Sequence, residues 1–225
     1  MAISLCVFDA YGTLFDVNAA ARTAAADDPR LIALWPKLAE DWRKKQLEYS
    51  WLREIMGQYA DFWQLTGEAL DWAMEAAGIS DTALRDRLMA LYGELPAYPE
   101  VPQVLTTLRA RGLKTAILSN GAPGMLADAV RSARIGGLLD AVLSVHDIAR
   151  FKPAMPVYAL VAQRFGTLPD EVLFVSSNGW DAAGATGAGF EVAWVNRAGL
   201  PMDRLPYRPA HQLSDLGALP GLLSA

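Results

Sequence analysis

The sequence predicts an α/β protein: a doubly wound, Rossmann-like parallel sheet with a helical subdomain inserted after its first strand. Three observations carry this. Short, continuously apolar runs rich in β-branched or aromatic residues recur along the chain, amphipathic stretches alternate with them, and the alternation lapses between residues 16 and 96, where only helical spacing is found. With 225 residues, 52% of them hydrophobic, the chain can fill a full core and an insertion.

The candidate strands are LCVF at 5–8, TAIL at 115–118, AVLSV at 141–145, VLFV at 172–175 and VAWV at 192–195. VPQVLTTLRARG and PVYALVAQRFG read as helical crossovers; the first has proline near its start and both close on glycine. Inside the insertion, Asp28-Pro29 marks one helix start and Pro36 another. Trp42, Tyr49, Leu52 and Met56 recur at helical spacing, and Phe62, Leu65, Leu70, Ala73 and Ala77 continue the pattern up to Gly78. ELPAYPEVP at 94–102 reads as the return hinge, so residues 1–15 and 97–225 form the core domain and 16–96 a helical cap subdomain. A proline-rich stretch, LPMDRLPYRP, precedes a short final helix.

A net charge of −5 and a pI near 5.1 give no basic footprint for nucleic acid, so no nucleic-acid partner is expected. No run approaches the ~20 apolar residues that cross a bilayer, and no charged leader precedes a long apolar stretch; a soluble, cytoplasmic protein without a membrane partner is expected. Cys6, the single cysteine, lies inside the first apolar run and reads as a buried structural thiol.

Open α/β sheets bind ligands beyond the carboxyl ends of their strands, where strand order reverses. Asp9 ends the first candidate strand; Ser119 and Asn120 follow TAIL, Lys152 follows AVLSV, and Ser176, Ser177, Asn178 and Asp181 follow VLFV. Four strands thus bring two carboxylates, an ammonium and several hydroxyl or amide groups to one rim.

The segments FDAYGTLFD, WRKKQLEYSW, AILSNGAP, FKP and LFVSSNGWD, in this order, resemble the haloacid dehalogenase superfamily and specifically its L-2-haloacid dehalogenases. The resemblance spans most of the chain, the inserted helices included. It implies hydrolysis of short-chain (S)-2-haloacids to (R)-2-hydroxyacids and halide, through attack of Asp9 on the α-carbon and hydrolysis of an aspartyl ester. No cofactor and no metal is expected. Lys152 would keep Asp9 ionised, and Asp181 would orient Lys152 or help activate the hydrolytic water. Arg43, Asn120 and the ring of Trp180 would receive the halide. Ser119 and the amides of Ala10 and Tyr11 would bind the substrate carboxylate, and Leu47 would pack on its alkyl side. Thr13 and Ser176 would hold Asp9, while Asn178 and Tyr158 would order the surroundings of the site, Tyr158 among the residues that bind the substrate. Relatives form homodimers, so a homodimer is expected as well.

Two other readings stand beside this one. A magnesium phosphatase of the same superfamily would carry an acid at position 11 and a second acid at 177, where this chain has Tyr11 and Ser177. A phenol, with an unperturbed pKa of about 10, is a poor proton donor to an alkoxide, whereas a departing halide needs no proton. A non-catalytic phosphoacceptor would show an acidic cluster beside the acceptor and no helical insertion of this size. His146 and His211, the only histidines, suggest no partner in the sequence, which argues against a histidine-base mechanism.

Overall fold

The structure, a computed structural model, describes residues 2–223. Among these, β1 (Leu5–Phe8), β2 (Lys114–Ser119), β3 (Ala141–Ser144), β4 (Val172–Ser176), β5 (Glu191–Val195) and β6 (His211–Leu213) form one sheet. Its order is β3-β2-β1-β4-β5-β6 and every pair is parallel. β1 is paired on both edges, Phe8 lying opposite Ile117 on one side and Val175 on the other, and its four side chains are fully buried. A strand so enclosed has no solvent face, which is why it reads as an unbroken apolar run. The chain builds outward from β1 to β3 and then returns past β1 to β4. Strand order therefore reverses between β1 and β4, immediately beyond Asp9.

Helices α1 (Ala19–Asp27), α2 (Trp35–Met56), α3 (Phe62–Ala76) and α4 (Thr82–Gly93) follow β1 with no strand of the sheet among them. From there α5 (Val101–Ala110), α6 (Pro123–Ser132), α7 (Met155–Phe165) and α8 (Gly179–Gly187) alternate with strands, as the periodicity predicts. The segments entering and leaving the insertion pair with each other: Phe15 bridges Ala97, Asp16 N–H donates to Pro96 O at 3.0 Å, and Tyr98 N–H donates to Leu14 O at 2.9 Å.

Local chemistry sets the insertion's helix ends. Gly57 ends α2 at φ +65°, the left-handed conformation that glycine adopts without a Cβ penalty, and its N–H returns to the last turn. The Asp61 carboxylate accepts from Gln64 N–H at 2.9 Å to start α3, and Asp81 accepts from Leu84 N–H at 3.0 Å to start α4. α2 and α3 pack as an antiparallel pair, joined inside by Trp42 Nε1–H donating to Thr66 O at 2.8 Å.

Several expectations need correction. Asp28 does cap a helical turn, but only the 3₁₀ turn Pro29–Leu31. Leu52 and Met56 are 46% and 67% exposed; the buried stripe of α2 is Leu38, Ala39, Trp42, Gln46 and Ser50. The final helix is a 3₁₀ segment, Leu216–Leu222. β6 escapes the apolar-run rule because it is a three-residue edge strand that buries no residue fully. Cys6 is buried, and burial pushes its thiol pKa up to about 12, in keeping with a structural role. No helix among the described residues is long and apolar enough to cross a membrane.

Candidate active site

The turn after β1 places Asp9 under three donors. Lys152 Nζ lies 3.2 Å from Asp9 Oδ1, while Oδ2 accepts from Asn178 Nδ2 at 2.9 Å and lies 3.1 Å from Thr13 Oγ1. Thr13 is fixed in turn, its Oγ1 accepting from Ser177 N–H at 2.8 Å. Gly12 makes the approach possible: at φ +92° it holds a conformation that side chains avoid, and a Cβ there would stand 3.0 Å from Ser177 Oγ. Asp9 is thereby held at the strand-order reversal and is nearly buried.

Lys152 is 1% exposed, and its ammonium also donates to Asp181 Oδ2 at 2.9 Å. Burial pulls the lysine pKa down, but the carboxylates of Asp181 and then Asp9 outweigh it, so Lys152 titrates above its ordinary value. The other oxygen of Asp181 accepts from Tyr158 Oη–H at 2.8 Å, and the residue is fully buried. Both oxygens of Asp181 are therefore committed, and its side chain makes no helix-cap hydrogen bond at the start of α8. Tyr158, expected at the substrate, stands behind Asp181 and does not line the pocket. Ser176 also departs from expectation. Its Oγ accepts from Asn178 N–H at 3.1 Å, so it reaches Asp9 only through Asn178.

The floor of the pocket is completed by Ser119 and Asn120. Ser119 Oγ accepts from Gly121 N–H at 3.1 Å, which leaves its own proton to donate, and Asn120 Oδ1 accepts from Lys152 N–H at 2.9 Å, which leaves its Nδ2. Among the described residues the amides of Ala10 and Tyr11 find no acceptor, so two more donors are available at the turn. The Tyr11 ring stacks on Tyr92 with centroids 5.7 Å apart. Burial, reinforced by Tyr92, holds its phenol well above the ordinary pKa, and its hydroxyl has no partner among the described residues. It is not an acid for use near neutral pH.

From above, α2 contributes Arg43 and Leu47. Of the WRKK run only Arg43 faces the core: Trp42 packs inside the insertion, Lys44 remains in a surface groove, and Lys45 pairs with Glu48 over the Trp72 ring. Arg43 Nη2 donates to Tyr11 O at 3.1 Å and approaches Asn178 Oδ1 at 3.4 Å, while Nη1 donates to Gln46 Oε1 at 2.7 Å. Trp180, at the start of α8, closes the side and meets Trp51 edge to face at 5.3 Å. The pocket thus gathers Asp9, Tyr11, Arg43, Leu47, Ser119, Asn120, Lys152, Asn178 and Trp180, and adds Phe62. It has about 10 Å³ of free volume, close to the room that one water needs.

Sequence reasoning missed Gln46 and Glu54. Glu54, near the end of α2, accepts from Arg150 at 2.5 Å and from Phe151 N–H at 2.7 Å, and so anchors the loop that carries Lys152 to the inserted helices. A glutamate on a helix carries no sequence signal for such a role, because its partners lie 96 and 97 residues away. Both histidines do have partners, away from the pocket: His146 Nδ1 lies 3.2 Å from Tyr59 Oη, and His211 Nε2 lies 2.7 Å from Glu191.

Chemically, the arrangement is a carboxylate at a strand end paired with a buried ammonium, an overhanging guanidinium, and spare neutral donors beside them. Such a set suits displacement of an anion from an anionic substrate. Its donor chemistry suits Mg²⁺ poorly, since Asp181 is already bound to Lys152 and Tyr158.

Comparison with known proteins agrees with this geometry. The haloacid dehalogenase-like hydrolase family model matches residues 3–189. The chain is 47% identical over 222 residues to (S)-2-haloacid dehalogenase 1 of Pseudomonas sp. (strain CBS-3), covering 98% of this chain and 96% of that one. It is 44% identical over 220 residues to (S)-2-haloacid dehalogenase 4A of Burkholderia cepacia, covering 97% and 94%. The fold superposes on the L-2-haloacid dehalogenase of Xanthobacter autotrophicus with chloropropionic acid covalently bound, with a TM-score of 0.86, 41% identity and 98% of each chain covered. The chain therefore belongs to the haloacid dehalogenase-like hydrolases and, within them, to the L-2-haloacid dehalogenases.

Proposed function

We propose that this chain hydrolyses short-chain (S)-2-haloacids to (R)-2-hydroxyacids and halide, with Asp9 as nucleophile. The observation that carries the reading is the setting of Asp9: an ion-paired carboxylate beneath an arginine, with no usable acid at position 11. Oδ1 has one partner against two for Oδ2 and keeps a lone pair for carbon. It attacks the α-carbon in line, the carbon–halogen bond breaks with its electrons on the halide, and configuration inverts. Arg43, with the Asn120 amide and the Trp180 edge, stabilises the departing anion. Ser119 and the Ala10 and Tyr11 amides hold the substrate carboxylate, and Leu47 lies along its alkyl side.

Water then adds to the ester carbonyl of Asp9. The acyl–oxygen bond breaks, so the hydroxyacid leaves with the original Asp9 oxygen and one of the water's protons, the water's oxygen stays in the side chain, and its second proton is released to solvent as the Asp9 carboxylate is regenerated. Lys152 stabilises negative charge in both steps. The commitment of both Asp181 oxygens supports a role in orienting Lys152 rather than in taking the water's proton. Residues 16–96 act as a cap on the core of 1–15 and 97–225, and the small free volume of the pocket means that a haloacid enters as the cap lifts. The exposed Leu52, Ile55 and Met56 on α2 supply an apolar face for a homodimer.

The test is halide release from (S)-2-chloropropanoate with a chelator present. Equal yields of chloride and (R)-2-hydroxypropanoate are expected, from a species that sediments at the mass of two chains. An absolute need for Mg²⁺, or turnover of the (R)-substrate alone, contradicts the proposal, and a monomeric mass removes the dimer.

A further inference from the structure

We propose that Gln46 is a positioning residue for the reaction, fixing the guanidinium of Arg43 from inside the cap. The inference rests on the reading that Arg43 receives the halide. Gln46 follows Arg43 by three residues on α2, the spacing at which helical side chains meet. It is 1% exposed, an unusual place for an amide unless its hydrogen bonds are satisfied.

A proton inventory sets the orientation of that amide. Arg43 can only donate, so the atom 2.7 Å from its Nη1 must be the carbonyl oxygen, Oε1. Thr66 Oγ1 donates its one proton to Phe62 O at 2.6 Å, so it must accept from Gln46, whose Nε2 lies 2.7 Å away. The Tyr92 hydroxyl stands 3.1 Å from Nε2 and 3.2 Å from Oε1 and closes the ring. Thr66 is fully buried and Tyr92 nearly so. Only a side chain with an acceptor and a donor at this reach serves both neighbours: a carboxylate could not donate to Thr66, and an aliphatic chain would leave the guanidinium unheld.

The result is a chain of bonds from Phe62 O through Thr66 and Gln46 to Arg43, and on to Tyr11 O and Asn178 in the core. Three of the five N–H donors of Arg43 are engaged by Gln46, Tyr11 and Asn178, which leaves two for a halide. Loss of Gln46 frees the guanidinium to rotate and misaims those two. Chloride, with the more concentrated charge, suffers more than iodide.

A double-mutant cycle tests this, with single-turnover halide release from (S)-2-chloro- and (S)-2-iodopropanoate as readout and the thermal midpoint as a check of fold. Gln46→Met is expected to slow chloride release about 10–100-fold with KM nearly unchanged, the scale of one hydrogen bond to a charged group. It should also lower the chloride-to-iodide rate ratio. In an Arg43→Ala background the same change should cost less than about 3-fold, since the group it positions is gone. Thr66→Val, which loosens the amide without removing it, should give a smaller loss with the same dependence on Arg43 and serves if Gln46→Met folds poorly. Equal losses in both backgrounds, or an unchanged rate ratio, overturn the role of Gln46. Wild-type rates for Arg43→Ala itself instead overturn the underlying reading of Arg43.

Discussion

Asp9→Asn is expected to abolish halide release, by at least about 10⁴-fold, the scale on which removal of a covalent nucleophile acts. The change preserves shape and removes the anionic oxygen that must strike carbon. The amide oxygen can still accept from Thr13 and Asn178, whereas the amide nitrogen would face the Lys152 ammonium, donor against donor. Lys152 keeps Asp181, so the fold is expected to persist and the thermal midpoint to move by only a few degrees. Halide release is measured alongside the mass of the peptide that holds position 9, because hydrolysis of the amide would restore the acid. Substantial turnover with the amide intact contradicts the nucleophile assignment.

Lys152→Met is expected to have the second largest effect, on stability as well as activity. It keeps the length of the apolar stem but leaves Asp9 and Asp181 buried near each other with no countercharge. Breaking a buried ion pair from one side costs about 3–5 kcal/mol, and activity should fall at least ~10²-fold with the loss of the charge that serves both steps. The pH dependence separates the two proteins. In the wild type the folded pKa of Lys152 lies above the ordinary 10.5, so its stabilising contribution is complete below that value and fades only as pH rises through the higher folded one. Denaturation midpoints should therefore be flat in this respect from neutral pH to about 10. Burial already holds the Asp181 carboxyl above its ordinary pKa in the wild type, against the downward pull of Lys152; without that ammonium both carboxyls are expected to titrate higher than they do in the wild type. Their contribution is then present at low pH and lost as pH rises, so the deficit should widen between about pH 4 and 7. Equal midpoints for the two proteins across that range would exclude the buried pairing.

The sheet was legible because its central strands are enclosed on both faces, and no polar residue interrupts LCVF or VLFV. β6 and the exposure of Leu52 and Met56 were not, since an edge strand of three residues has no period to read and helical spacing alone does not say which stripe of α2 turns inward. Strand ends announced Asp9, Ser119, Asn120, Lys152 and Asn178, because topology alone carries them to one rim. Arg43 came only from resemblance: one arginine in a basic run looks like solvated surface until the tertiary fold turns it toward Tyr11 O. Gln46, Glu54 and the true partner of Ser176 depend on contacts made across the cap or the sheet end, and short-range pattern carries none of that information.

One turnover in water enriched in heavy oxygen, with enzyme in excess over (S)-2-chloropropanoate, addresses the ester route most directly. Mass analysis of the peptide containing Asp9 should find one heavy oxygen in that side chain, with unlabelled hydroxyacid released. Heavy oxygen in the hydroxyacid and none in the peptide would mean that water attacks the α-carbon itself, and Asp9 would no longer be the nucleophile.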